Sequence, residues 1–491
     1  MSAGNPINRI VAIYRHGSDG YSSEGPFHPD TAYPEYPFPS DLSLTPSPAY
    51  ECMRNIFHLL RLDPEHFETP HWNPLGELIS PGDHVLLKPN LIRESHLVRH
   101  EEWEQIITHP SLIRAVLDYV FIALKRSGFV TIADGPQTDS RFEEIKHRIQ
   151  LESIVDFYRR KGLNVRALDL RQHHWLQKEG VTYKRLKLAG DPSGYTTIDL
   201  NELSEFTDYT LSGRFYGADY DVTDTAQYHN GRRHAYVLCR TSMDADVIIN
   251  LPKMKTHKKT GVTLSLKNMV GVNGHRNCLP HHTIGTPDEK GDEFPHSSST
   301  NKLQSRGIVL FKKMLTRCGG LGGPAARITL KAGKMVFGDT GKVVRSGNWF
   351  GNDTAWRMVL DLNKCLFYFD GNAARRKQPL KYLSIVDGII AGEGDGPSAA
   401  DAKRCGTVVA GFNPVTVDTV CATIMGFDYT RIPMVDRAWK IRDLPLAGFQ
   451  PDQITCSSNI EAWDGDLKKL SSAQHFGFRP YFGWVGAIER H

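Results

Sequence analysis

From residue 80 onward, apolar and polar positions follow two alternating rhythms. The turn signal Pro81-Gly82-Asp83 precedes an apolar run from His84 to Lys88 that stops at Pro89-Asn90, which predicts a short buried strand. Leu112, Ile113, Val116, Leu117, Val120 and Leu124 then recur at helical spacing, and Ser127-Gly128 ends that helix. A second apolar run, 129–133, leads into Asp134-Gly135-Pro136. Strand, helix and strand joined by short links predict a parallel unit whose ligand face lies at the carboxyl ends of the strands. Lys88, Asn90 and Asp134 stand at those ends.

The same patterns predict a strand at 9–14, a helix over 142–161 and strands at 164–168 and 244–250. Farther on they predict a strand pair within 327–337, a helix over 353–363 capped by Asp353, and a strand at 382–386 that delivers Asp387. A glycine-rich loop follows at 388–397, then a strand at 407–411 and a helix over 415–426. Seven prolines between 22 and 48 forbid regular structure there, so an extended arm is expected. The expected fold is α/β, with a mostly parallel central sheet, flanking helices and a large insertion. Its divisions are 1–79 (strand and Pro-rich arm), 80–430 (core) and 431–491 (an extension packing on the core). Within the core, 140–240 reads as insertion and 285–305 as a mobile polar loop.

Composition narrows the function classes. The chain has 491 residues, and 59 Lys and Arg against 55 Asp and Glu leave a net charge of only +4, which disfavours a nucleic-acid binder held mainly by phosphate contacts. No apolar run reaches the roughly 20 residues of a spanning helix, so no membrane partner is expected. The eight cysteines are scattered, with none of the spacings of zinc or iron–sulfur sites. That pattern, without a recognisable leader, points to a reducing cytoplasm and to no intrinsic iron–sulfur cluster.

Local charge is more telling. Residues 247–287 contain no Asp or Glu but hold Lys253, Lys255, Lys258, Lys259, Lys267 and Arg276, with His257, His275, His281 and His282. Lysine runs are commonly solvated faces. Here they follow a predicted buried strand and are mixed with Pro252, Gly261 and Asn268, and a helix is expected to open near Gly261, which suits a phosphate or carboxylate. The second signal is acidic: Asp387, Glu393 and Asp395 among four glycines could bind a divalent cation or move protons, although Asp-Gly runs are also ordinary turn formers. Dinucleotide, P-loop, nucleophile-elbow and zinc-protease motifs are all absent.

These segments add up to a resemblance. Residues 87–91, His109-Pro110, 133–136, 246–257, 261–271, 353–357, 386–388, 392–397 and 411–418, in that order, resemble the domain of unknown function 362 family across about 80–430. Some relatives in that family carry an appended ferredoxin-like module, which this cysteine pattern does not match. The resemblance supplies positions rather than a reaction.

The expected function is an enzyme holding an anionic small molecule, with the chain able to form oligomers. Lys88, Asn90, Asp134, Asn250, Lys253, Lys258, Lys267 and Asn268 would bind the molecule. His257, Lys255 and Asp387 would be catalytic, with His257 moving the proton from a ring that the lysines keep neutral and basic. Glu393 and Asp395 are the candidate metal ligands. The alternatives are a metal-dependent enzyme, a redox enzyme using an external electron donor, and a non-catalytic module for RNA or an acidic partner. Against RNA, no aromatic residue for base stacking lies between 247 and 287.

Overall fold

A computed structural model of the chain describes residues 6–18, 20–178, 181–209, 213–217, 222–319 and 343–490. The strand pair expected within 327–337 lies outside these residues. In chain order the elements that matter to the site begin with β1 (Ile10–Arg15), α1 (Pro48–Leu59), β2 (His84–Pro89), α2 (Pro110–Leu124), β3 (Phe129–Asp134), α3 (Phe142–Arg148), α4 (Leu151–Arg160) and β4 (Val165–Asp169). Then come β5 (Val247–Leu251), β6 (Lys253–His257), β7 (Gly261–Thr263), α5 (Ser265–Asn268), α6 (Ser299–Gly319) and α7 (Ala355–Tyr368). The chain closes with β8 (Lys381–Asp395), β9 (Ala399–Gly411), α8 (Pro414–Met425), β10 (Thr455–Ser458) and β11 (Gly465–Asp466).

These strands form one eleven-stranded sheet in the order β11-β10-β1-β9-β8-β5-β2-β3-β4, with β6 and β7 branching from β8. β4, β3, β2, β5 and β8 run parallel, β8 and β9 form a long antiparallel hairpin, and β1 pairs antiparallel with β9 and parallel with β10. The fold is α/β with a mostly parallel sheet. β1, from the expected arm segment, and β10 and β11, from the expected extension, are strands of this central sheet.

Side chains alternate across the sheet, and each face has its own core. Val247, Ile249 and Leu251 of β5 join Val85, Leu87, Val130 and Ile132 beneath α1, α2 and α4. Ile248 joins Leu86, Ala133, Tyr382 and Val409 on the opposite face, packed on α7 and α8. With both faces covered, β5 is apolar at every position but Asn250, which is why its sequence shows no alternation. α2 starts where His109 accepts the amide of Ser111 ahead of Pro110, and stops at Lys125 in the left-handed region.

Three local expectations change. The helix expected over 142–161 is two helices, parted by Gln150 at φ 50°. The helix expected from Asp353 has Thr354 as its N-cap and runs to Tyr368. The polar loop expected over 285–305 gives way to α6 at Ser299. Among the described residues no helix is long and apolar enough to cross a membrane.

Candidate functional site

The basic segment is a β-hairpin. β6 pairs antiparallel with β7 and parallel with β8, so the helix expected near Gly261 starts only at Ser265, as the turn α5 that runs on as a 3-10 helix over Met269–Val272. Gly261 instead takes φ 78° in the hairpin. Alternation along β6 puts Lys253, Lys255 and His257 on one side of the strand, and each meets different partners.

Lys253 Nζ lies 2.9 Å from Asp387 Oδ2, and neither side chain is exposed. Lys88 Nζ lies 2.8 Å from Asp134 Oδ1 and donates to the Pro89 carbonyl. Burial pushes both ammonium groups below the ordinary lysine range, and the facing carboxylates only partly offset it. Asp134 also accepts the amides of Leu91 and Gly135, while Asp387 accepts the amide of His109. Four of the predicted residues are therefore spent on two closed ion pairs.

The three asparagines form a chain of hydrogen bonds. Lys255 Nζ donates to Asn90 Oδ1 at 3.0 Å, and Asn90 Nδ2 to Asn268 Oδ1 at 2.9 Å. Asn268 Nδ2 donates to Asn250 Oδ1 at 2.7 Å, and Asn250 Nδ2 to the Tyr382 hydroxyl at 2.7 Å. These amides tie β2, β5, β6, β8 and α5 together, so their bonds go to the protein. Lys255 donates as well to the Ile106 carbonyl, and burial together with Lys253 and Lys267 drives its pKa well down.

Lys267 differs from the others. Its amine makes no hydrogen bond or ion pair among the described residues, and its side chain is half-buried. Burial, Arg276 and Lys88 bring its pKa down to about 8. Arg276 donates to the Val270 and Pro136 carbonyls, leaving its buried Nε without a partner. Lys258 is exposed at the end of β6, and its carbonyl accepts the indole of Trp484.

The histidines divide by tautomer. His257 Nδ1 accepts the backbone amides of Lys259 and Thr260, so its neutral ring carries the proton on Nε2. Burial, Lys267 and Lys258 hold that ring well below its ordinary pKa, which makes it neutral but a poor base and an N–H donor. His281 is the converse. Its Nδ1 lies 2.7 Å from the Leu279 carbonyl, which can only accept, so Nε2 keeps the lone pair. Burial with Lys267 and Lys259 lowers its pKa to about 3.

The expected acidic loop is strand. Residues 388–395 continue β8, and Gly392 lets it approach β6, since a Cβ there would lie 3.0 Å from Lys255 Cβ and 2.8 Å from the Gln105 carbonyl. Glu393 is taken by Lys403 at 2.9 Å and Arg479 at 3.0 Å, and these cations outweigh burial to lower its pKa. Asp395 is exposed. Among the described residues no three His, Cys, Asp or Glu side chains gather as a metal-binding group.

Sequence reasoning missed one contributor from far along the chain. Tyr21, in the arm, donates from its hydroxyl to Asp387 Oδ1 at 2.5 Å and accepts Lys253 Nζ at 2.8 Å and the Ile390 amide at 3.0 Å. Its ring stacks on His109 at 3.8 Å, and His109 stacks in turn on Trp103 at 5.1 Å. No spacing rule links Tyr21 to Asp387; its place among the arm's aromatics was the one available signal.

The chain is 23% identical over 359 residues to a thylakoid-associated protein of Synechocystis, covering 73% of this chain and 68% of that one. A crystal structure of a Thermotoga maritima protein aligns at 11% identity and a TM-score of 0.28, over 71% of this chain and 56% of its own length. Residues 190–423 match the family described as Domain of unknown function (DUF362).

Proposed function

We propose that this protein is an enzyme that binds a small phosphate- or carboxylate-bearing molecule beside α5, with Lys267 as the principal cation. The observation that carries the reading is the lone amine of Lys267, held half-buried among Arg276, Lys88, Lys255, His257 and His281 with no carboxylate paired to it. Asp134 is spent on Lys88, so positive charge stays in excess around Lys267, and an anion would offset it. Desolvated cations without partners are costly, and a bound carboxylate or phosphate offsets that cost.

Roles shift accordingly. Lys88, Asp134, Lys253 and Asp387 form the rigid frame, and the Asn90–Asn268–Asn250 chain orients α5 so that Lys267 is offered to the ligand. His257 donates from Nε2. His281 is the stronger candidate for accepting a proton, because its Nε2 lone pair is uncommitted by tautomer and an anion at Lys267 would raise its basicity. The seven cysteines with described side chains are free and buried, which suits a reducing compartment such as the cytoplasm.

The test is binding of inorganic phosphate, pyrophosphate and citrate to the full chain, by calorimetry and thermal shift. At least one should stabilise the parent and leave Lys267→Met unaffected, while that variant keeps the parent's ligand-free stability. Equal binding by both proteins, or by neither, overturns the reading.

A further inference from the structure

Outside the site, the least explained surface belongs to α6. Its sequence holds Lys302, Arg306, Lys312, Lys313 and Arg317 and no Asp or Glu. Where its side chains are described, Ser305 and Ile308 face the protein, being 3% and 5% exposed. Leu303 and Leu310 face outward at 73% and 62%, and Arg306 between them is exposed too. Steps of three and four residues put Leu303, Arg306 and Leu310 on one stripe of the helix. Leu44, Val98 and Val485 are as exposed, but Leu303 and Leu310 share one face of a single helix with an arginine between them.

We propose that this face of α6 lies on an anionic lipid surface, with Leu303 and Leu310 inserted at the headgroup boundary and Arg306 on the lipid phosphates. Charge complementarity selects that occupant. A protein groove that takes a helix needs apolar anchors at successive i, i+3 or i+4, and i+7 positions, and here the middle anchor is an arginine. A lipid interface accepts that arrangement, because an arginine extends its charge to the headgroups while its stem stays among the acyl chains. RNA would call for aromatic rings on the stripe, and its described residues carry none. Lys302 is occupied by Asp288 and adds only to the general field. The helix lies on the surface without spanning it, since it is too polar to cross. This revises the expectation, drawn from the absence of long apolar runs, that no membrane partner exists.

The experiment is co-sedimentation of the full chain with vesicles of phosphatidylcholine alone and of phosphatidylcholine mixed with phosphatidylglycerol. The parent should partition only onto the anionic vesicles, less so at high salt. Leu303→Asp with Leu310→Asp, and separately Arg306→Glu, should each lower that partition about tenfold. All three substitutions are at exposed positions, and unchanged thermal unfolding would show the fold intact. Arg306→Glu keeps the test decisive if the double variant misfolds. Failure of the parent to bind anionic vesicles, variants that bind as well as the parent, or binding to RNA in place of vesicles overturns the proposal.

Discussion

Lys253 and Asp387 face each other at 2.9 Å in a place neither side chain shares with solvent. They come from neighbouring parallel strands, β6 and β8, and water cannot replace either partner. Removing only the cation leaves a buried carboxylate, so Lys253→Met should destabilise the protein by about 3–5 kcal/mol. Removing both, as Lys253→Met with Asp387→Leu, should cost less than Lys253→Met alone, because no charge is then stranded. Urea unfolding of the two variants decides it, and equal losses would show that the pair is not closed.

Tyr21 ties the arm to that pair. Its hydroxyl completes Asp387 and orders a segment whose prolines give it no ladder of its own. Tyr21→Phe keeps the stack on His109 and removes the three hydrogen bonds, for a loss of about 1–3 kcal/mol. Cleavage by an added protease should concentrate in residues 16–47 and quicken relative to the parent. An unchanged cleavage pattern would mean that the arm is held elsewhere.

Lys267 makes anion binding depend on pH. In the folded chain it is an ammonium below about 8, whereas its ordinary value is 10.5. Affinity for a phosphate probe should therefore fall as pH rises through about 8, and Lys267→Arg, which stays charged, should flatten that fall. The stability effect has the opposite sign. Between about 8 and 10.5 the unfolded chain binds more protons than the folded one, so this lysine's contribution to stability rises with pH there. Calorimetric titration at several pH values, with ligand-free unfolding beside it, checks both.

Much of the scaffold was legible because local rules govern it. The first β-α-β unit and its strand ends follow from apolar spacing and form as the pattern implies, with the helix stopping at Lys125, just ahead of Ser127-Gly128. The charge window at 247–287 drew attention to the lysines around α5, but charge counting could not say which cations were already paired. Lys88 and Lys253 find their carboxylates at sequence separations of 46 and 134, beyond any local rule. The stretch 388–395 misled for a related reason. Its glycines suit turns, yet here they let β8 lie against β6 and β9, a demand set by neighbouring strands. The sequence favoured His257 over His281 for proton transfer, and only their backbone partners show that His257 is the donor and His281 the acceptor.

Gly271 offers the sharpest test of how tightly the centre is packed. It follows α5, and its carbonyl accepts the amide of Gly135 at 2.9 Å, which fixes the turn against the end of β3. A methyl group there would collide with Asp134 Oδ1 and come within 2.6 Å of Lys88 Nζ. Neither can retreat: Asp134 is held by the amides of Leu91 and Gly135, and Lys88 by the Pro89 carbonyl. Gly271→Ala must therefore part the buried pair or lift the turn that carries Lys267, at a cost of about 3 kcal/mol or more. Gly20 is the control, since nothing lies within 4 Å of its added Cβ and Gly20→Ala should stay within about 0.5 kcal/mol of the parent. Chemical denaturation of the two variants, followed by phosphate titration of whichever stays folded, separates packing from binding. If Gly271→Ala unfolds at the parent's denaturant concentration, the turn is not pressed against the ion pair and Lys267 is not held where binding requires it.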